Sequence, residues 1–230
     1  TLGRDTRMTE TPPFFLLSPL SPVCARLREA EAFFLAGNLN EALAAAQQAW
    51  REHPREPEVF RVLAYLHMAR GEYPPAEQAA HQAVLLDDAN PLSHAMLAQV
   101  YLAFDIRRSA DELLTKAVAR FPNELSLIAL LADLSFRQRQ YPRAVEMANR
   151  VLQANAHDGY MHALLGQYQL QRRQYGLAGG HLAEAVAAYP QRADYARDLG
   201  IARLRQGDYP AAARALSGSL ALRPSDVMTQ

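Results

Sequence analysis

The chain has 230 residues, half of them hydrophobic, and its 24 basic and 24 acidic side chains cancel. That balance argues against a nucleic-acid binder, which shows an excess of basic residues. Cys24 is the only cysteine, so no internal disulfide can form, and a reducing compartment fits.

Residues 1–22 carry no helical period and hold Pro12, Pro13, Pro19 and Pro22. They are read as a disordered or extended arm, with residues 1–7 non-native and Met8-Thr9-Glu10 the natural start. The apolar run Phe14-Phe15-Leu16-Leu17 falls far below the roughly 18 residues that span a bilayer. It is broken by prolines, and no small-residue cleavage site follows. A cytoplasmic protein is expected, with a periplasmic or partner-mediated membrane location as the alternative. Lys116 is the only lysine among the 24 basic residues, which points to a GC-rich, bacterial genome.

From residue 23 onward one period governs the chain. Arg139-Gln140-Tyr141-Pro142-Arg143-Ala144 has near copies at Gly71–Ala76 and Gly207–Ala212, and looser ones at Gly37–Ala42, Asp105–Ala110 and Arg173–Ala178. The closing alanines Ala42, Ala76, Ala110, Ala144, Ala178 and Ala212 are each 34 residues apart. A fixed period of that length marks a stacked array whose units contact their neighbours. Each unit reads as two antiparallel helices, as in Pro57 to about Arg70 followed by Pro74 to about Leu86.

Pro57, Pro74, Pro91, Pro142 and Pro210 fit the first helical position, where a missing N–H costs nothing. Asn90 and Asp158 are candidate N-caps. Pro54, Pro122, Pro190 and Pro224 are read as stops for second helices. Two apolar ladders are expected to pack the units. On first helices the ladder is Leu63, Leu97, Leu131, Leu165 and Leu199, each followed by Ala or Gly; on second helices it is Trp50, Val84, Val118, Leu152, Val186 and Leu220. Gly179-Gly180 lies inside a helical pattern, where each glycine costs about 1 kcal/mol relative to alanine. Either a neighbouring backbone comes close there or the array bends.

These residues carry a resemblance. The small first-helix residue Ala98, the Tyr141-Pro142-x-Ala144 turn, the second-helix alanine and the terminal Pro122 resemble the tetratricopeptide repeat. The resemblance covers six units beginning near 23, 57, 91, 125, 159 and 193 and running to 226, with 227–230 as a tail. Asp88 and Ala156 depart from the terminal proline, and Arg107 from the turn tyrosine. The resemblance implies an all-α, right-handed superhelical solenoid of about six helix pairs. It further implies a concave groove, lined by first helices, that receives a peptide or helical segment. Mapped slot by slot, the groove holds Arg61, Tyr65, Ala95, Gln99, Ala129, Asp133, Arg137, Ala163, Gln167, Gln171 and Arg197, with Phe136, Leu170, Ile201 and Arg205 beside them. The Lys and Asn of a carboxylate clamp are missing from the matching slots.

Catalysis finds little support. None of the seven histidines forms a metal-binding spacing, and His94 and His162 share a slot two units apart. Gly176, Gly179 and Gly180 lack the Gly-Lys-Ser/Thr of a phosphate loop. No catalytic, cofactor or metal site is expected. The leading expectation is a non-enzymatic scaffold that binds protein or peptide and no nucleic acid. The alternatives are an assembly module of a larger, pilus- or secretion-type complex, associating through the Phe14–Leu17 arm or the last helix, and the regulatory part of a longer enzyme. Leu216, Leu220 and Leu222 are expected to stay partly exposed, which suggests that the natural protein continues beyond Gln230 or that this end packs on another molecule. Arg137, Arg139, Arg143, Arg172 and Arg173 are expected to gather on one edge, facing an acidic partner or an anionic surface.

Overall fold

The structure is a computed structural model that describes residues 23–222. The Phe14–Leu17 arm and Pro224 lie outside the described residues. Among those described there are twelve helices and no strand. They are α1 (Cys24–Leu35), α2 (Leu39–Glu52), α3 (Pro57–Arg70), α4 (Tyr73–Leu86), α5 (Pro91–Ala103), α6 (Arg107–Arg120), α7 (Leu125–Arg137), α8 (Tyr141–Ala154), α9 (Gly159–Gln171), α10 (Tyr175–Ala188), α11 (Ala193–Gln206) and α12 (Tyr209–Leu222). The described residues divide into two compact bodies, the first ending at Leu130 and the second beginning at Leu131. In the first, α1 packs on α2, α3 on α4 and α5 on α6, with α3 also against α5. In the second, α9 packs on α10 and α11 on α12, while α10 lies against α11.

The helix ends show what sets the period. Asn90 caps α5 by accepting the Leu92 N–H at 3.0 Å, and Asp158 caps α9 by accepting the Met161 N–H at 2.9 Å. Pro57 and Pro91 open their helices, whereas Pro74, Pro142 and Pro210 sit second, behind a tyrosine. Both positions belong to the first turn, whose N–H groups have no helical acceptor. Second helices end at Glu52, Leu86, Arg120, Ala154 and Ala188, always the same slot. They do so even where Asp88 or Ala156 replaces the stopping proline. The proline therefore only reinforces a stop that the following extended residue already makes, as at Asp87 and Asn155 with ψ of 77° and 89°.

The turn inside each helix pair also repeats. Its residue is left-handed at Gly37, Gly71, Asp105, Arg139, Arg173 and Gly207, with φ between 59° and 84°. Glycine adopts that conformation freely; Asp105, Arg139 and Arg173 do so against Cβ sterics worth roughly 1–2 kcal/mol.

The alanine series is the core of the packing. Ala42, Ala76, Ala110, Ala144 and Ala178 are fully buried, and Ala212 nearly so. Ala144→Leu should therefore overpack α8 and lower stability by about 1–3 kcal/mol, read from urea denaturation. The leucine ladder of first helices is buried from Leu63 to Leu165 and half-buried at Leu199.

The second-helix ladder differs from expectation by one residue. Trp50 is exposed, Val84, Leu152, Val186 and Leu220 are half-buried, and only Val118 is buried. The slot facing inward is the one before: Ala49, Ala83, Ala117, Val151, Ala185 and Ser219. Close crossing of the paired helices demands a small side chain there and pushes the bulky neighbour to the flank. The Gly179-Gly180 expectation is also corrected. A Cβ at Gly179 would lie 3.0 Å from Gln206 Nε2 and 3.4 Å from Arg203 Cζ, whereas one at Gly180 would meet nothing within 4 Å. Side chains of α11, not a backbone, approach Gly179.

Candidate functional site

The first helices carry the residues expected to line a groove, and these are placed differently in each body. In the first body the wall is largely closed. Tyr65 of α3 is 3% exposed and meets the Phe34 ring of α1 edge-on at 5.3 Å. Burial pushes its hydroxyl up to about 12. Arg61, 4% exposed, lies 3.9 Å from the Glu58 carboxylate, and burial lowers the pKa of its guanidinium. Ala95 is buried as well. Gln99 and Ala129 remain partly open. Arg61, Tyr65 and Ala95 thus form the floor beneath the wall, while Gln99 and Ala129 reach its surface.

The second body holds first helices together with polar bonds. The Tyr160 hydroxyl of α9 donates to Asp133 Oδ1 of α7, and Arg137 Nε lies 2.6 Å from Asp133 Oδ2. Burial, then the Asp133 charge, drives the Tyr160 hydroxyl well above its ordinary value. One step along, Gln167 Nε2 of α9 donates to Asp198 Oδ2 of α11 at 3.0 Å. Arg197 donates to Asp198 Oδ1 from Nε at 3.2 Å and Nη2 at 3.0 Å. Asp133 and Asp198 are buried, as is Ala163. Around them Arg137, Gln167 and Arg197 are partly open and Gln171 is exposed.

Arg137, expected both in the groove and among the edge arginines, turns to Asp133, because a buried carboxylate must be paired. The structure brings Asp133, Arg137, Gln167 and Arg197 into this bonded wall and leaves Gln171 at its rim.

Asp198 and Tyr160 escaped the sequence reading. Asp198 occupies the slot filled by Val62, Met96, Leu130 and Leu164 in the preceding first helices, and those four are buried. A carboxylate in a core slot was the available signal. Burial raises its pKa, and Arg197 and Gln167 only partly oppose that.

The histidines have structural roles. His94 and His162 share a slot, and each places Nε2 2.9 Å from the carbonyl six residues earlier, Asp88 and Ala156. His162 Nδ1 also meets His181 Nδ1 at 2.8 Å across the α9–α10 crossing. With His162 Nε2 donating to the Ala156 carbonyl, its Nδ1 is placed to accept from His181 Nδ1. Burial, then His162, lowers the pKa of His181. Among the described residues no group of three or more His, Cys, Asp or Glu side chains could hold a metal ion. No described helix is long and apolar enough to cross a membrane.

This geometry can be set beside known proteins. Tetratricopeptide-repeat family profiles match residues 33–100, 108–168 and 163–227. A curated relative, the formate-dependent nitrite reductase complex subunit NrfG of Escherichia coli O157:H7, is 29% identical over 122 residues. That match covers 52% of this chain and 62% of the relative, less than two thirds of its length. Among solved structures, the APC/C hetero-tetramer Cut9–Hcn1 superposes with a TM-score of 0.81 at 18% identity, over 97% of this chain and 46% of that one. The type IV pilus biogenesis factor PilW gives a TM-score of 0.75 at 16% identity, over 90% of this chain and 96% of that one. At such identities the likeness is one of fold.

Proposed function

The chain belongs to the tetratricopeptide-repeat family, and on that premise we propose that its first helices bind an extended or helical segment of a partner protein. Proteins of this family generally act as non-catalytic scaffolds, and the all-α repeat fold suits a protein–protein interaction role. The observation that carries the finer reading is the wall of the second body. Its polar groups are held by neighbours instead of being left to water, and the carboxylates are buried at a cost in stability. Gln167, Gln171, Arg137 and Arg197 are the accessible groups that would fix a ligand's orientation, flanked by the half-buried Phe136 and Leu170. A few polar contacts beside apolar side chains are the usual make-up of such a surface. In the first body Gln99 and Ala129 would serve.

Site-specific photo-crosslinking in the native host tests this without disturbing the floor. A crosslinker at Gln99, Gln167 or Gln171 should yield one discrete protein adduct, and one at the exposed Lys116 or Glu146 of second helices none. Adducts from second helices alone would refute the reading. The compartment and the pilus- or secretion-type assembly remain secondary to it. The fold shared with PilW motivates the assembly alternative.

A further inference from the structure

We propose that the turn edge of the second body, built on Arg139, Arg172, Arg173 and Arg205, is a second docking surface that takes a carboxylate-rich segment of a partner protein. The three turns concerned lie side by side. The Tyr141 ring after the first packs against Tyr168 at 5.5 Å, and Arg172 lies over that same Tyr168 ring at 5.7 Å. Gln206, before the third turn, donates to the Tyr175 carbonyl after the second. The turns therefore form one continuous edge.

On that edge Arg139, Arg172, Arg173 and Arg205 are all exposed. Among the described residues no carboxylate pairs with Arg139, Arg173 or Arg205. The acidic group on the edge, Asp208, accepts the Ala211 N–H at 3.2 Å and serves as a helix cap. In a chain with no net charge this is a concentrated positive strip. The same edge of the first body is mixed: Arg70 pairs with Glu72 at 3.0 Å and Arg107 with Asp105 at 2.6 Å. Arg139, Arg173 and Arg205 have no such carboxylate partner among the described residues.

The backbone points the same way. Arg139 and Arg173 are left-handed, with φ of 61° and 59°, where Gly37, Gly71 and Gly207 hold the equivalent slot. Arginine stands at two positions that glycine fills with less strain. Exposed apolar groups flank the strip, Leu177 at 59%, Leu204 at 44% and Tyr209 at 67%. Planar guanidinium forks that can grip carboxylates in pairs, beside a tyrosine and leucines, are the composition of a protein-binding patch. Arg139 and Arg173 lie in the turns outside the first-helix wall, so replacing them tests this strip apart from the wall, although Arg205 shares the repeat slot of Arg137 and Gln171 at its rim.

The test uses fluorescein-labelled polyglutamate as probe, with fluorescence polarisation of the whole chain and of the Arg139→Gly/Arg173→Gly double variant. Glycine suits both backbones, so the variant is expected to fold with stability equal to or above that of the parent. Its affinity for polyglutamate should be about tenfold weaker, since each exposed pair contributes up to about a factor of five. Binding by the parent should weaken with added salt. Asp105→Gly relieves the same kind of strain while removing a negative charge and freeing Arg107, so it should not weaken binding. Equal binding by parent and double variant overturns the proposal. So does a parent that ignores polyglutamate yet binds vesicles of equal parts phosphatidylcholine and phosphatidylserine, which would make the edge a membrane surface.

Discussion

Gly166→Ala should unfold at lower urea than the parent even though alanine is the better helix former. A Cβ at Gly166 would stand 2.6 Å from Leu182 Cγ and 2.9 Å from its Cδ2. Leu182 is fully buried and cannot swing aside. Overpacking of this kind costs about 1–3 kcal/mol, against about 1 kcal/mol gained in helix propensity. The periodic sequence supplies the compensating change. In the second repeat the same pair of slots holds Ala64 and Ala80, both fully buried. Leu182→Ala alone removes a buried side chain and should cost about 2–5 kcal/mol. The double variant recreates the Ala–Ala pair and should be more stable than the sum of the two by about 0.5–3 kcal/mol. Additive single effects would show that the two slots do not meet. The sixth repeat offers a second copy of the experiment. There a Cβ at Gly200 would lie 2.6 Å from Leu216 Cγ and 3.3 Å from the Leu216 backbone nitrogen, so Gly200→Ala should also lower stability.

That pairing shows what the linear pattern could and could not reveal. The small slot recurring at Ala64, Ala98, Ala132, Gly166 and Gly200 is visible at once, because a steric requirement that returns in every repeat leaves the same residue type in register. The reason two members are glycine is not visible, since Ala98 shares its crossing with a buried Leu114 while a Cβ at Gly166 or Gly200 would stand 2.6 Å from Leu182 or Leu216; how closely each helix pair crosses decides it. The same limit explains the one-residue error in the second-helix ladder. A row of large apolar residues from Trp50 to Leu220 looks like a core, but in helices that cross closely the alanine before it is the buried member.

The candidate wall was legible by slot but not by accessibility. Arg61, Tyr65, Ala95, Asp133 and Ala163 map to the wall and lie beneath its surface, because first helices approach one another closely enough to cover them. Asp133 shows the difference most plainly. Read alone it is a polar groove residue; in place it is a bonded anchor for Tyr160 and Arg137. Its partners sit 27 and 4 residues away, and only the 4-residue spacing is a helical neighbour that sequence can suggest.

Asp198→Leu should raise stability and lower function together. Its slot is aliphatic or methionine in the preceding four first helices, and Asp198 is 7% exposed. Replacing a buried ion pair by a packed hydrophobe is commonly neutral or stabilising by about 1–4 kcal/mol. The partners would not be stranded, for Arg197 is partly solvated and Gln167 half-buried. The pH dependence gives the sign an independent check. Burial raises the folded-state pKa of Asp198, the opposite of a carboxylate stabilised by its pair. Its ionised form therefore opposes folding, fully so above that raised pKa. The penalty fades as pH falls through it and is gone below the unfolded carboxyl value of about 3.9. The gap in stability between Asp198→Leu and the parent should thus be widest at neutral pH and narrow on acidification, read from urea midpoints across the series. A parent more stable than the variant at neutral pH would mean that the Arg197 and Gln167 bonds outweigh desolvation. A core slot that gives up stability to hold a charge beside Gln167 and Arg197 is best explained by what that wall must bind. The stabilised variant should then lose the photo-crosslinked adduct at Gln167 while keeping its helices, a separation of folding from binding that a purely architectural role for Asp198 would not produce.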